Sequence, residues 1–407
     1  MLAALNQVDA ARRPRIAVVD MAVAPDSPAG SCVLAEIRGL ARTLDVTVFS
    51  ERFDASELPG VEFIRVRAPV RPVVLRYLVF HLSAPLQVAL WRLGGGRADC
   101  VQATQGQLPG SAICYAHFSH RGYLARQWKQ STVTGPRRWA RWAVHRFNAA
   151  CEAVALRHAR WIVVPSRGLA REIAADYPAA AGKVRVIANP VAIDRFARPS
   201  AFDRAAGRAG QGFADEHVVL AFMALGDFER KGLGLLLSAL AALPLAERAV
   251  VRLLVIGGHA DEIAGFAQLA AVLGVDACVR FVGMQADVRP FLWISDAFAF
   301  PSNYETFGLA AAQAAAAGLP VMACDGVHGL EEFVVDGVNG WSIARRHDAV
   351  VAWMAHVVAE RASLPHMGRA AMESVQPYSQ QRFQARWIEL VAAVMRGDDP
   401  CTAAEPA

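Results

Sequence analysis

Two short stretches of this chain combine residue types that suit an anionic ligand. In Gly226-Asp-Phe-Glu-Arg-Lys-Gly232, Arg230 and Lys231 stand side by side between a β-type run and a helical pattern. Arginine offers a planar fork and lysine a compact point charge, a pair suited to a diphosphate. An ordinary pair of solvated surface cations fits the same residues. Pro301-Ser-Asn-Tyr-Glu-Thr-Phe-Gly-Leu309 leads from the end of another strand into the Ala-rich stretch 310–317. Glu305 lies in the loop, and Phe307, Gly308 and Leu309 open the helix. A helix start presents unpaired N–H groups and the positive end of the dipole, and Gly308 lets an anion approach the backbone. A plain strand–loop–helix connection, with Glu305 favoured by the dipole, would look the same. Order raises the interest of the pair: strand, Arg-Lys-Gly, helix, then strand, Glu loop, helix. In one parallel sheet both loops fall at the carboxyl edge, where open α/β sheets bind ligands.

His117-Phe-Ser-His120 follows the strand candidate Ala112–Ala116. His117 is the better site candidate; either imidazole could equally be packed or at the surface. Two histidines alone fall short of a metal site. No Asp-x-Asp follows an internal strand, so no divalent-metal clamp and no metal cofactor are expected. A Gly-x-Gly-x-x-Gly after the first strand and a Walker-type Gly-Lys-Ser/Thr are both absent, which disfavours dinucleotide and P-loop chemistry. The seven cysteines contain no CxxC pair, and reduced, packed thiols are expected.

These residues need elements to position them, and short β-branched runs alternate with helical patterns almost throughout. The strand candidates are Arg15–Asp20, Val46–Ser50, Val61–Val66, Cys100–Ala103, Ala112–Ala116 and Trp161–Pro165, then Val218–Ala224, Arg252–Gly257, Val279–Gly283, Ala297–Pro301, Val321–Cys324 and Trp341–Ile343. Helical stretches such as Ser31–Thr43, Arg167–Asp176, Gly232–Leu243, Asp261–Leu273 and Gly308–Ala317 separate them. Apolar strands flanked by helices predict parallel sheets covered on both faces. Two such series predict two doubly wound α/β domains, 1–190 and 191–378, with 379–407 as a last helix and tail. That helix, about Gln380–Met395, has no strand after it and is of a kind that can return to the first domain. Asn189-Pro190, Pro199, Gly207, Gly210 and Gly212 punctuate the boundary.

With 407 residues, 54% hydrophobic and 19% charged, the chain is neither disordered nor a small disulfide scaffold. The net charge of +5 divides into +12 over residues 1–195 and −7 over the remainder. A basic half seeks anions. Arg121 to Arg160 holds nine Lys and Arg against Glu152 alone, with Trp128, Trp139, Trp142, Phe147 and Trp161 interleaved. Arg137, Arg138 and Arg141 beside Trp139 and Trp142 suit an anionic membrane surface. The alternative is a solvated basic face over core tryptophans. Nucleic acid is a weaker rival, because no recognised binding module accompanies the charge. Val73–Leu93 is apolar, yet Arg76, His81, Pro85 and Arg92 interrupt it, so it reads as a buried or surface helix rather than a span. Met1–Arg15 has no apolar run before its arginines, and no secretory leader is expected.

Taken together these motifs resemble the retaining glycosyltransferases of family 4, which have the GT-B architecture of two Rossmann-like domains facing across a cleft. The resemblance covers about Arg15 to Met395 and is strongest from Val184 to Gly340. Val184 to Phe196 resembles the family's crossover, Arg230-Lys231-Gly232 its phosphate-binding pair, and Tyr304 to Leu309, Gly318-Leu-Pro-Val321 and Glu332 to Gly340 the rest of its donor domain. The loop from Phe228 is similar to that of the lipopolysaccharide core glucosyltransferases. The resemblance implies a nucleotide-diphosphate-sugar donor, with Arg230 and Lys231 on the leaving diphosphate and Glu305 on sugar hydroxyls. It further implies Phe307, Gly308 and Leu309 amides at the phosphates, Gly30 in a glycine loop beneath them, and His117 facing the sugar. The family carries a second Glu eight positions after the first, on the nucleotide ribose; here that position is Gln313. Gln keeps hydrogen bonding and loses the charge-assisted bidentate contact. The implied function is a cytoplasmic, metal-independent hexosyltransferase at the inner membrane face, acting on a glycan or lipid-linked acceptor in cell-surface polysaccharide synthesis. A same-fold epimerase or hydrolase, or a nucleotide-sugar-binding scaffold weakened by Gln313, are the alternatives.

Overall fold

The structure is a computed structural model that describes residues 12–400 apart from 55, 57, 70 and 131–134. The chain forms two compact units, one running to Pro190 and resuming at Gln380, the other spanning Val191–Ser379. The first division falls where Asn189-Pro190 opens the punctuated segment. The expectations for the extreme N-terminus and for most of the tail beyond Gly397, Cys401 included, lie outside the described residues, as does the side chain of Arg137.

In the first unit, strands β1 (Arg15–Val19), β2 (Asp45–Ser50), β3 (Glu62–Arg65), β4 (Cys100–Thr104), β5 (Ile113–Tyr115), β6 (Trp161–Val164) and β7 (Val184–Val186) build one sheet. All its pairs are parallel, in the order β3-β2-β1-β4-β5-β6-β7. Every residue of β4, β5 and β6 is buried, as continuous apolar runs require when helices cover both faces. Helix α1 (Pro28–Leu40) begins three residues earlier than the sequence pattern predicts. Ser27 caps it, its hydroxyl accepting from the Gly30 N–H at 3.2 Å, and Pro28 supplies a preset first turn.

Helix α2 (Val73–Leu93) buries Phe80, Ala84 and Val88 in a cluster with Phe49 and Ala103. It meets helix α3 (Gly135–His158) where the His81 and Phe147 rings lie 5.0 Å apart. A tail helix, Gln380–Arg396, belongs to this unit. On it Gln384 donates to the Ala35 carbonyl at 3.0 Å, and the fully buried Trp387 meets the Tyr115 ring at 4.8 Å.

In the second unit, β8 (Val218–Ala224), β9 (Val251–Gly257), β10 (Val279–Gly283), β11 (Ala297–Ala299), β12 (Val321–Cys324) and β13 (Gly340–Ile343) pair in parallel in the order β10-β9-β8-β11-β12-β13. Each sheet runs outward from its first strand, then reverses: between β1 and β4 in one, between β8 and β11 in the other. This is the doubly wound order, and its reversal point is where such sheets place ligands. The second unit adds helices α4 (Phe228–Lys231), α5 (Leu233–Ala242) and α6 (Leu309–Ala316); the tail helix is hereafter α7.

Candidate active site

The reversal point decides which loops meet. β8 and β11 are far apart in sequence but adjacent in the sheet, Leu220 opposite Ala297 and Ala221 opposite Phe298. Their carboxyl-end loops therefore sit side by side. The Lys231 ammonium bonds directly to Glu305 Oε1 and lies 5.0 Å from the centre of the Phe300 ring. Arg230 Nε donates to Asp227 Oδ2 at 2.7 Å, while its Nη1 donates to the Tyr304 carbonyl and reaches Glu305 Oε1 at 3.5 Å. Ser302 is fully buried, and its hydroxyl donates to the same Glu305 oxygen at 2.8 Å. Three residues singled out separately by sequence thus form one polar cluster.

The loops can only approach this closely because residue 232 is glycine. Its φ of 87° is left-handed, and a Cβ there would fall 2.4 Å from the Pro301 carbonyl oxygen. Asp227 also has a left-handed φ, of 61°, which a short polar side chain tolerates. Burial works to raise the Glu305 carboxyl, but Lys231 and Arg230 outweigh it and hold it below the usual carboxylate range. Burial pushes the Lys231 ammonium down, with Glu305 opposing. A carboxylate and two cations are thereby held together with little exposure to water, each preorganised by the others. An incoming diphosphate would find two cations already oriented.

Past this cluster, Gly308 at φ 84° turns the chain into α6, and no side chain caps that terminus. The Phe307 side chain is spent on the core, packing on Phe333 and Tyr378. Its neighbours Gly308 and Leu309 open the helix as expected. Gln313 is half-buried on the second turn, one turn beyond Leu309 on the same face.

The remaining candidates lie in the first unit. Gly30 is not in a loop: because Ser27 starts α1 early, Gly30 sits inside the first turn, buried, with its N–H used by the cap. A Cβ at this position would fall 1.7 Å from the Ala22 carbonyl oxygen, so the residue is needed for helix-to-backbone packing. His117 follows β5, buried, its ring 3.9 Å from that of Tyr115. Burial drops its pKa to about 3, so the imidazole is neutral, and its Nε2 has no hydrogen-bond partner among the described residues. Gln105, with its amide oxygen turned inward, accepts from the His117 and Phe118 N–H groups at 3.0 and 2.7 Å. His120 is used elsewhere, its Nδ1 lying 3.1 Å from that of His145. Nearby, buried Glu152 accepts from the His120 N–H and the Tyr177 hydroxyl, both at 2.8 Å, and burial raises its pKa to about 7.

The basic, aromatic segment divides between the two readings of its sequence. Trp161 is core, in β6, whereas Trp139 and Trp142 stand exposed on α3. Arg126 is committed to Glu172 and Asp176, and Arg138 and Arg146 lie over the Trp128 and Trp142 rings. Sequence reasoning missed Asp227, Ser302 and Tyr304 as partners of the cluster. Ser302 had one available signal, its position three residues before Glu305.

Two family profiles match the chain: Glycosyltransferase Family 4 over residues 29–195 and Glycosyl transferases group 1 over residues 216–360. A D-inositol 3-phosphate glycosyltransferase of Streptomyces avermitilis is 33% identical over 240 residues, 56% of this chain and 50% of that one. The lipopolysaccharide core biosynthesis glycosyltransferase LpsE of Rhizobium meliloti is 38% identical over 128 residues, 31% of this chain and 35% of its own length. The chain thus spans about half or less of the curated relatives it matches. Among solved structures, WaaG, a glycosyltransferase involved in lipopolysaccharide biosynthesis, superposes with a TM-score of 0.76 at 19% identity, covering 94% of this chain and all of that one. Anabaena HepE in complex with UDP-glucose gives 0.72 at 18% identity, covering 93% and 99%. Two doubly wound units with a cationic pair at the second unit's reversal point define a GT-B protein. The chain belongs to glycosyltransferase family 4.

Proposed function

We propose that this protein transfers a hexose, with retention, from a nucleotide-diphosphate sugar to a glycan or lipid-linked acceptor of cell-surface polysaccharide synthesis. The observation that carries the reading is the Arg230–Lys231–Glu305 cluster at the reversal point of the second sheet. In this reading the bond from the anomeric carbon to the diphosphate breaks as the acceptor oxygen bonds to the same face of that carbon. The acceptor proton passes to the departing diphosphate. Arg230 and Lys231 take up the developing charge, the amides at Phe307, Gly308 and Leu309 meet the phosphates, Glu305 holds sugar hydroxyls, and Gln313 reaches the ribose. His117, neutral, offers the sugar a hydrogen bond rather than a charge. Two fixed cations supply the countercharge that a divalent metal would otherwise bring, so the reaction runs without one. HepE's complexes with UDP and UDP-glucose support this donor class, and the lipopolysaccharide relatives support the acceptor class. The exposed Trp139 and Trp142 on the basic helix α3 support a place at the anionic inner face of the membrane, with the catalytic units in the cytoplasm.

A panel of nucleotide sugars screened by thermal shift identifies the donor, because a ligand that binds only the folded chain raises Tm. With that donor, Arg230→Ala and Lys231→Ala each lower turnover by ~10²-fold or more, the usual effect of removing preorganised charge from a developing anion. EDTA leaves turnover intact. Near-normal turnover in both folded variants would sink the phosphate role, and a loss in EDTA restored by Mg²⁺ or Mn²⁺ would overturn the metal-free step.

A further inference from the structure

Helix α2 has two apolar faces, and among the described residues only one is covered. Phe80, Ala84 and Val88 lie in the core, whereas Leu75, Leu78, Leu82, Leu86, Leu90 and Leu93 recur every three or four residues along the opposite side, 37 to 85% exposed. A water-facing helix side normally carries charged and polar residues. This one is leucine over the full length of a 21-residue helix that passes for a membrane span on length and composition. Its inner face holds it to the sheet, so the helix lies along its unit and cannot cross a bilayer while that unit is folded.

The charges around it indicate what covers the leucines. Arg65, Arg67 and Arg71 precede the helix, Arg92 is in its last turn and Arg97 follows it, all of them exposed. No acidic residue occurs between Glu62 and Asp99. A second copy of this helix laid against the first would set arginine ends against arginine ends in either direction, with no carboxylate in the segment to offset them. Anionic headgroups complement both ends at once, while acyl chains receive the leucines between them.

We infer that α2 is an interfacial helix, lying flat in an anionic lipid surface with its leucine side buried among the acyl chains. This rests on the reading that the enzyme works at a lipid surface, and adds a second, apolar contact to the electrostatic one offered by α3. The two contacts separate by salt. At ~1 M NaCl charges are screened within ~3 Å, whereas burial of leucine is not weakened.

The test is co-flotation of the full chain with phosphatidylglycerol–phosphatidylcholine vesicles at low and at high salt. It compares the wild type with Leu82→Asn/Leu86→Asn, and sedimentation velocity is run on both. The two positions are exposed, so far-UV circular dichroism and the donor-induced Tm shift stay as in the wild type. The wild type retains part of its binding at high salt, and in the variant that part falls by about tenfold for each leucine replaced. Equal high-salt binding by both proteins overturns the inference and leaves the electrostatic contact standing, as does a wild type that high salt releases completely. A wild type that binds no vesicle of any composition overturns both. A wild-type dimer that the variant breaks, with vesicle binding unchanged, assigns the leucines to a second copy and overturns the lipid reading.

Discussion

Glu305→Gln keeps the shape of the side chain at the centre of the polar cluster and removes its charge. Lys231 is then a buried cation without its carboxylate, and breaking one member of such a pair costs ~3–5 kcal/mol. The two side chains keep 15% and 11% of their surface, and Arg230 retains Asp227, which places the cost at the low end, ~3 kcal/mol. At ~2–4 °C per kcal/mol for a domain of this size, the Tm of the second unit falls by about 6–12 °C. Lys231→Met exposes the opposite defect and costs a similar amount. The double variant buries neither charge, so it recovers ~1–3 kcal/mol relative to the sum of the singles. Turnover behaves differently: all three variants lose ~10²-fold or more, because Glu305→Gln gives up the carboxylate placed on the sugar hydroxyls, Lys231→Met gives up one of the two cations placed on the diphosphate, and repacking restores neither. Calorimetry beside donor turnover reads both quantities. The pair is also expected to uncouple in acid. The folded pKa of Glu305 lies below the ordinary 4.5, so its contribution is present above that value and is lost as pH falls through the folded one. A Tm loss in the double variant equal to the sum of the singles, or near-normal turnover in it, would refute the reasoning.

Other expectations follow from single contacts. Glu152 has its pKa raised from 4.5 to about 7, so its stabilising contribution is complete below 4.5 and is lost as pH rises through 7; Glu152→Gln removes up to ~3 kcal/mol of that dependence, read as Tm against pH. Gly30→Ala drives a methyl group into the Ala22 carbonyl and destabilises the first unit by ~3 kcal/mol or more while sparing the second; two unshifted calorimetric transitions would contradict the packing. Gln313→Glu changes KM for the donor more than kcat, since a ribose contact exists equally in ground and transition states; no change in either parameter removes Gln313 from the site.

Twelve of the thirteen strands of the two large sheets lie where apolar, β-branched runs place them, most of them because a strand buried on both faces can hardly carry anything else; β3 and β10, at the sheet edges, are partly exposed. β7 is short, and the same residues drew notice only within Val184 to Phe196, the stretch that resembles the family's crossover. The candidate residues of the second unit were legible for a related reason: each follows a strand that is itself legible. What joins them was not. The Lys231–Glu305 contact depends on β8 lying beside β11, a fact of topology that no local pattern carries. Ser302 and Asp227 are unremarkable residue types in a loop until Glu305 and Arg230 are seen to face them. The start of α1 was misplaced because Ser27-Pro28 is as much a turn signal as a helix signal. In α2, apolar residues on both faces conceal which face is covered, since periodicity fades when nearly every position is apolar.

The first unit is completed by a segment translated long after the rest of it. Trp387 and Gln384, on α7, fill the space beside Tyr115 and Ala35, yet the whole of Val191–Ser379 is synthesised in between. At ~5–20 residues per second, those ~190 residues take about 10–40 s to emerge. During that interval the nascent first unit has an open seam along α1, while the second unit, continuous in sequence, can close as soon as it leaves the ribosome. A released chain truncated before Gln380 is expected to protect its later half from protease while its earlier half remains cleavable.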